Sequence, residues 1–222
     1  MNAQEKTIIE NFHNLYYNGP EDKGQIFTRT YWMKVPCEKC PLDLWIYQEI
    51  ISEIRPDLII ETGTRFGGSA LFMAHILDIL GKGEIITIDI DYMISRPIHP
   101  RVKYVHGSSS DTNLIESVLA DRHDEARMVV LDSDHSKAHV LQELHLLAPY
   151  VSVGSYLIVE DTNINGHPIF PTLGAGPYEA VEEFLETHKE FAVDEAREKF
   201  LMTFNPRGYL RRLALPAYGH TS

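Results

Sequence analysis

The sequence predicts an α/β fold: a doubly wound, mostly parallel sheet with an antiparallel C-terminal strand and an N-terminal helical extension. Three observations predict it. Short β-like runs alternate with helical patterns from residue 58 to 160. A glycine turn, ETGTRFGG at 61–68, joins the first run to the first of these helices. The tail, FAVDEAREKFLMTFNPRGYLRRLAL, carries β-like pieces with no helical crossover between them. Such alternation builds a parallel sheet covered on both faces. Right-handed crossovers then place ligands beyond the carboxyl ends of the strands.

In chain order, residues 1–40 mix aromatic residues with Gly19-Pro20 and read as an irregular extension with one short helix, a candidate lid. Residues 41–222 read as a single domain, long enough for a sizeable core. From Pro41, Ile46, Ile50 and Ile54 recur at i, i+4 and i+8 beside Tyr47 and Ile51, which is an amphipathic helix. Strands follow at Leu58–Glu61, Glu84–Asp89, Val102–Val105, Met128–Asp132 and Tyr156–Glu160. Helices fall at Ser69–Leu80, Thr112–Ala120 and Ser136–Leu147. After Pro177 a last helix stripes Val181, Phe184, Leu185 and His188. The tail closes the sheet with antiparallel strands joined near Pro206-Arg207-Gly208.

The chain of 222 residues has 44% apolar and 23% charged residues and a net charge of −12. That charge argues against a nucleic-acid surface or a basic membrane patch. The first residues, MNAQEKTIIE, lack the regions of a signal peptide, and no apolar stretch is long enough to span a bilayer, so a cytoplasmic protein is expected. Cys37 and Cys40 form one C-x-x-C pair. One pair cannot make a four-cysteine zinc site, and no strand leads into it as a thioredoxin-like motif requires; both read as structural thiols.

The acids carry the chemistry. Glu61, Asp89, Asp132 and Glu160-Asp161 all end strands, and Asp134 lies close by. In a parallel sheet these ends share one edge. Singly, such acids are turn formers or caps. Together they repel, by roughly 4 kcal/mol for a pair ~4 Å apart at an effective dielectric near 20. No basic residue stands in these motifs, so the cluster calls for cations.

The glycines of the turn are Gly63, Gly67 and Gly68. Arg65 stands where a dinucleotide fingerprint wants glycine, which disfavours a pyrophosphate. A nucleoside without phosphates fits better. Asp89 can accept from both ribose hydroxyls and Glu61 can sit near a ligand's positive charge, as S-adenosylmethionine would need. The bland alternative is a packing turn with no ligand. Asp132, Asp134, Glu160 and Asp161 are hard oxygen ligands suited to Mg2+, Mn2+ or Ca2+. An iron triad of His135, His139 and an aspartate is the alternative, but it leaves Glu160-Asp161 without a role. His139 and His145 otherwise read as partly buried surface histidines.

CPLDLWIYQEII, ETGTRFGGSALFMA, LDSDHSKAHVLQEL, YLIVEDTNING and FLMTFNPRGYLRR resemble the cephalosporin-hydroxylase family over roughly residues 31–213. The resemblance implies a Rossmann-like class I methyltransferase using S-adenosylmethionine, and, in sugar and natural-product members, metal-dependent O-methylation. The acid–turn–acid arrangement is also similar to catechol and macrolide-sugar O-methyltransferases. By resemblance the cofactor loop falls on Glu61, Gly63 and Gly67, and the ribose acid on Asp89. Gly107-Ser108 falls where the adenine amine is met, and Asp132 lines the cofactor site. The metal acids fall on Asp132 or Asp134 with Glu160 and Asp161, and the catalytic base on His135.

The expected function is therefore a metal-dependent transfer of methyl from S-adenosylmethionine to a hydroxyl of a small molecule or sugar. The alternatives are an iron-type hydroxylase and a non-catalytic nucleoside-binding subunit that assists a partner enzyme. The loop NINGHPIFPTLGAGP is the expected acceptor wall, with Tyr31-Trp32 closing over it. Self-association into a homo-oligomer is expected from the aromatic-rich extension and the family resemblance.

Overall fold

The computed structural model describes residues 2–92, 95–120, 122 and 125–214. The extension begins with helix α1, Ala3–Asn18, longer than the short helix expected. A capping box explains its start: Asn2 accepts from the Glu5 amide at 2.9 Å and Glu5 accepts from the Asn2 amide at 2.7 Å. A two-stranded hairpin follows, β1 (Tyr31–Trp32) and β2 (Val35–Pro36). Helix α2, Pro41–Ile54, opens with proline in its first turn, where a missing N–H costs nothing.

The central sheet takes β3 (Leu58–Thr62), β4 (Glu84–Asp89), β5 (Val102–His106), β6 (Arg127–Leu131), β7 (Tyr156–Val159), β8 (Phe191–Val193) and β9 (Tyr209–Arg212). Their spatial order is β5-β4-β3-β6-β7-β9-β8. The first five run parallel, and β9 lies antiparallel to both β7 and β8. Helices α3 (Gly68–Leu80), α4 (Thr112–Leu119), α5 (Lys137–Leu147) and α6 (Pro177–Thr187) complete the layers. The expected closing pair is present, although residues 194–208 between β8 and β9 form a long excursion containing a single 3-10 turn, Glu195–Glu198. The tight turn at Asn205–Gly208 leads into β9 rather than joining the two strands directly.

Strand alternation sorts the core. Leu58, Ile60, Val129, Leu131, Leu157 and Val159 face one cluster with Ile115, Val140, Leu144 and Phe184 from α4, α5 and α6. Ile59, Met128, Val130, Tyr156 and Ile158 face the other, with Ile46, Ile50, Phe72 and Met73 from α2 and α3. A third cluster ties α1 down: Tyr17 packs with Ile164, Ile169, Met202 and Phe204.

Register builds the functional edge. Thr62 pairs with Ile88 on one side and Leu131 on the other, and Leu131 pairs with Val159. The next residues, Gly63, Asp89, Asp132 and Glu160, therefore emerge along one rim. Parity adds a second constraint: Glu61, Asp132 and Glu160 continue the rows of Ile59, Val130 and Ile158, so all three belong to the face covered by α2 and α3.

Candidate functional site

A cavity of about 640 Å³ opens at this rim, within the range of small-molecule sites. It spans the point where the strand order reverses, between β3 and β6, as expected for an open α/β sheet.

The glycine turn forms one wall. Gly63 has φ +82°, and a Cβ there would lie 1.8 Å from the carbonyl oxygen of Asp132, so only glycine lets this turn pass the end of β6. Gly67, also left-handed, is the N-cap of α3. Arg65 takes φ +43°, with its side chain turned outward to pair with Glu38. Its amide donates to Asp89 Oδ2 at 2.7 Å, while Asp91's amide donates to Oδ1 at 2.8 Å and Arg96 Nη2 lies 3.1 Å from Oδ2. Asp89 is thus held against the cavity by backbone and guanidinium donors. Gly107 and Ser108 line the cavity beside it, with Ser108 Oγ 2.8 Å from Ser110 Oγ. Glu61 sits differently. It is buried beneath the turn, accepting from Ser69 Oγ and Thr87 Oγ1 at 2.6 Å each, and does not line the cavity. Burial pushes its carboxyl up to about 7.

The acid centre lies across the cavity. One ligand atom each from Asp132, His135 and Asp161 lies within 4.8 Å of the others. His135 Nε2 stands 3.3 Å from Asp161 Oδ2. Burial raises the carboxyls of Asp132, Glu160 and Asp161 above their ordinary range, because the charged form loses solvation. Oxygen and imidazole donors fit a hard divalent ion. Glu160 stands one step behind, with Tyr47's hydroxyl donating to Oε1 at 2.6 Å. Asp134 is not brought into the group; it is exposed and accepts from the Ser136 amide at 2.8 Å, at the start of α5.

Charge balance in the acid cluster differs from the expectation of motifs without a basic residue. The acids are not without a cation. Lys39, only 6% exposed, contacts Asp132 through its ammonium and reaches Glu160 Oε2 at 2.6 Å. Burial opposes its charge, but Asp132, Glu160 and Asp161 together push its pKa well above the usual lysine value. The signal that finds it is parity: Asp132 and Glu160 face the layer of α2, and Lys39 lies two residues before that helix. Asp43 and Tyr47 of α2 are also part of this support. Asp43 accepts from Thr203 Oγ1, the Phe204 amide and Tyr209's hydroxyl, and burial pushes it up to about 7.

His139 lines the cavity outside the Asp132–His135–Asp161 group, 3.6 Å from Glu143, which holds its imidazole above the usual value. His145 packs on Phe184 and His188. The upper wall comes from Tyr17, Gln25, Phe27 and Thr28. Tyr31-Trp32 does not close over it: Trp32 packs edge-on to Phe72 and donates to His75 Nδ1 at 3.0 Å, and Tyr31 is exposed. Both cysteines are free and buried, and burial pushes each thiol up to about 12; at neutral pH neither is a thiolate, in keeping with structural roles. Among the described residues, no helix is long and apolar enough to cross a membrane.

Residues 24–213 match the family model described as Rhamnosyl O-methyltransferase/CmcI. Over 213 residues the chain is 41% identical to the rhamnosyl O-methyltransferase of Mycobacterium tuberculosis (strain ATCC 25618 / H37Rv), covering 92% of this chain and 85% of that one. Its fold is similar to CmcI solved with Mg and SAM, with a TM-score of 0.66 at 22% identity, covering 90% and 84% of the two chains. It is also similar to the apo structure of CalS11, a TDP-rhamnose 3'-O-methyltransferase, with a TM-score of 0.53 at 16% identity over 96% and 95%. The chain belongs to the rhamnosyl O-methyltransferase/CmcI family, and so to the methyltransferases.

Proposed function

We propose that this protein transfers the methyl group of S-adenosylmethionine to a sugar hydroxyl at a centre that takes Mg2+ or Mn2+. The observation that carries the reading is the convergence of Asp132, His135 and Asp161 on one wall of the cavity whose other wall holds Asp89 and the glycine turn. A sugar acceptor is supported by the rhamnosyl O-methyltransferase relative. The residues of the upper wall supply apolar faces for it: Tyr17 packs against Phe27 and Phe170 with ring centroids 4.7 and 5.5 Å away.

Asp89 receives the ribose hydroxyls, and the adenine lies toward Gly107-Ser108. Glu61 fixes the turn from beneath through Ser69 and Thr87 rather than touching the ligand. Asp132 and Asp161 would hold the divalent ion, with Glu160 one step behind them in contact with Lys39. Such an ion lowers the pKa of a bound hydroxyl and orients it. His135 Nε2 would take the acceptor's proton as its oxygen attacks the sulfonium methyl carbon, the carbon–sulfur bond breaking in line to leave the neutral thioether. Asp134 orders the α5 start beside His135. The extension through residue 40 provides the acceptor wall in place of the loop at 163–177, none of whose residues lines the cavity.

The test is methyl transfer to rhamnosides with Mg2+ present, read by mass spectrometry, alongside His135→Asn. A base role predicts that this variant keeps Mn2+ affinity and loses turnover; lost affinity would make His135 a ligand instead. No methylated sugar under any of these conditions would remove the sugar assignment.

We further propose self-association in the cytoplasm. Ile8, Phe12 and Leu15 form an exposed apolar stripe on α1, and free cysteines suit a reducing compartment. Light scattering that returns a monomer mass at working concentration would exclude the assembly.

A further inference from the structure

We propose that Lys39 is the exchangeable counter-cation of the acid centre: its ammonium bridges Asp132 and Glu160 until a divalent ion takes its place on Asp132. This rests on the metal reading above. Lys39 is buried, its Nζ contacts Asp132 Oδ2 and lies 2.6 Å from Glu160 Oε2, and no third acceptor is needed to explain its position. Asp161 is turned toward His135 instead. The charges explain the arrangement. Asp132 and Glu160 meet on one sheet face, and an ammonium between them removes most of their repulsion.

The same contact obstructs an ion. Divalent ions sit about 2.0–2.6 Å from carboxylate oxygens. An ion on Asp132 would then face the ammonium at roughly 4 Å, where like charges repel strongly, and a divalent ion doubles the repulsion of a unit pair. Lys39 must therefore leave Asp132. Its flexible stem allows this, with Glu160 as the remaining anchor. Metal affinity is the difference between two cations competing for one carboxylate. In the metal-free protein, the lysine also keeps the buried acids from repelling one another.

The experiment is a Mn2+ titration of the full chain, with free ion read by electron paramagnetic resonance, and melting temperatures measured with and without Mn2+. Lys39→Met keeps the apolar stem and removes the charge. It is expected to bind Mn2+ at least about tenfold more tightly than wild type, to melt lower without metal, and to gain a larger shift on Mn2+ addition. Lys39→Gln is held to the same criterion, so a Met variant that fails to fold still leaves a decisive measurement. Unchanged or weaker Mn2+ binding in the folded Lys39 variants would overturn the exchange, since a lysine that only supports the loaded centre weakens binding when removed. Asp132→Asn separates this from the underlying reading. Wild-type binding that Asp132→Asn abolishes, together with unaltered Lys39 variants, sinks the exchange alone; no Mn2+ binding by any form sinks both.

Discussion

Asp89 is a small carboxylate whose position is determined by three donors, the amides of Arg65 and Asp91 and the guanidinium of Arg96. In the proposed function this preorganises it for the ribose diol. Asp89→Ala is expected to weaken S-adenosylhomocysteine binding by at least tenfold, about 1.4 kcal/mol, read by calorimetry. His13 illustrates the opposite use of burial. It stacks on Phe204, lies 2.8 Å from Asn163 Nδ2, and has its pKa lowered to about 4 by desolvation. The unfolded chain takes up this proton first, near 6.5. Its contribution to stability is therefore full above pH ~6.5 and is lost as pH falls through 4, up to about 3 kcal/mol. A stability profile from pH 7 to 4 is expected to flatten in His13→Phe; a profile that stays equally steep would assign the acid sensitivity elsewhere.

At the scale of elements, the turns decide more than the helices. Gly63→Ala forces a Cβ into the backbone of Asp132 at a left-handed residue, and is expected to cost more than roughly 4 kcal/mol in urea denaturation. Gly81, the C-cap of α3, has φ +73° with nothing within 4 Å of an added Cβ. There the conformational penalty acts alone, and Gly81→Ala is expected to cost only about 1 kcal/mol. Equal costs would mean that close approach is irrelevant at Gly63. At the other end of the chain, Asn2→Ala removes one arm of the α1 capping box. About 1 kcal/mol is expected to disappear from the local stability of α1, seen as faster amide exchange there and little change in the sheet.

The whole molecule couples these parts through one rim. In the proposed function nucleoside and divalent ion bind at strand ends, while the two principal cores lie beneath that rim on either face of the sheet. Folding is therefore expected to proceed without either ligand. S-adenosylhomocysteine at 100 times its dissociation constant is expected to add about 2.7 kcal/mol by mass action. Calorimetric melts that show no shift at saturating ligand would contradict binding to the native state.

Much of this was legible in the sequence, because periodicity is local. Alternating runs and helical stripes gave the order of β3 through α6, and the turn chemistry of residues 61–68 marked the edge where the cavity opens. Acids at strand ends pointed to Asp89, Asp132 and Asp161 for the same reason: a parallel sheet aligns its carboxyl ends whatever else it does. Tertiary structure alone decided which of those acids share a cavity. Glu61 stands one residue short of the end of its strand, where Asp89 ends its own, and it is sealed under the turn by Ser69 and Thr87. Asp134, two residues from Asp132, serves the start of α5. Lys39 lies far from Asp132 and Glu160 in the chain and meets them because α2 packs across the face to which both acids point. Local pattern carries secondary structure and strand ends. Which charge neutralises which depends on the packing of layers, and that is a property of the folded chain.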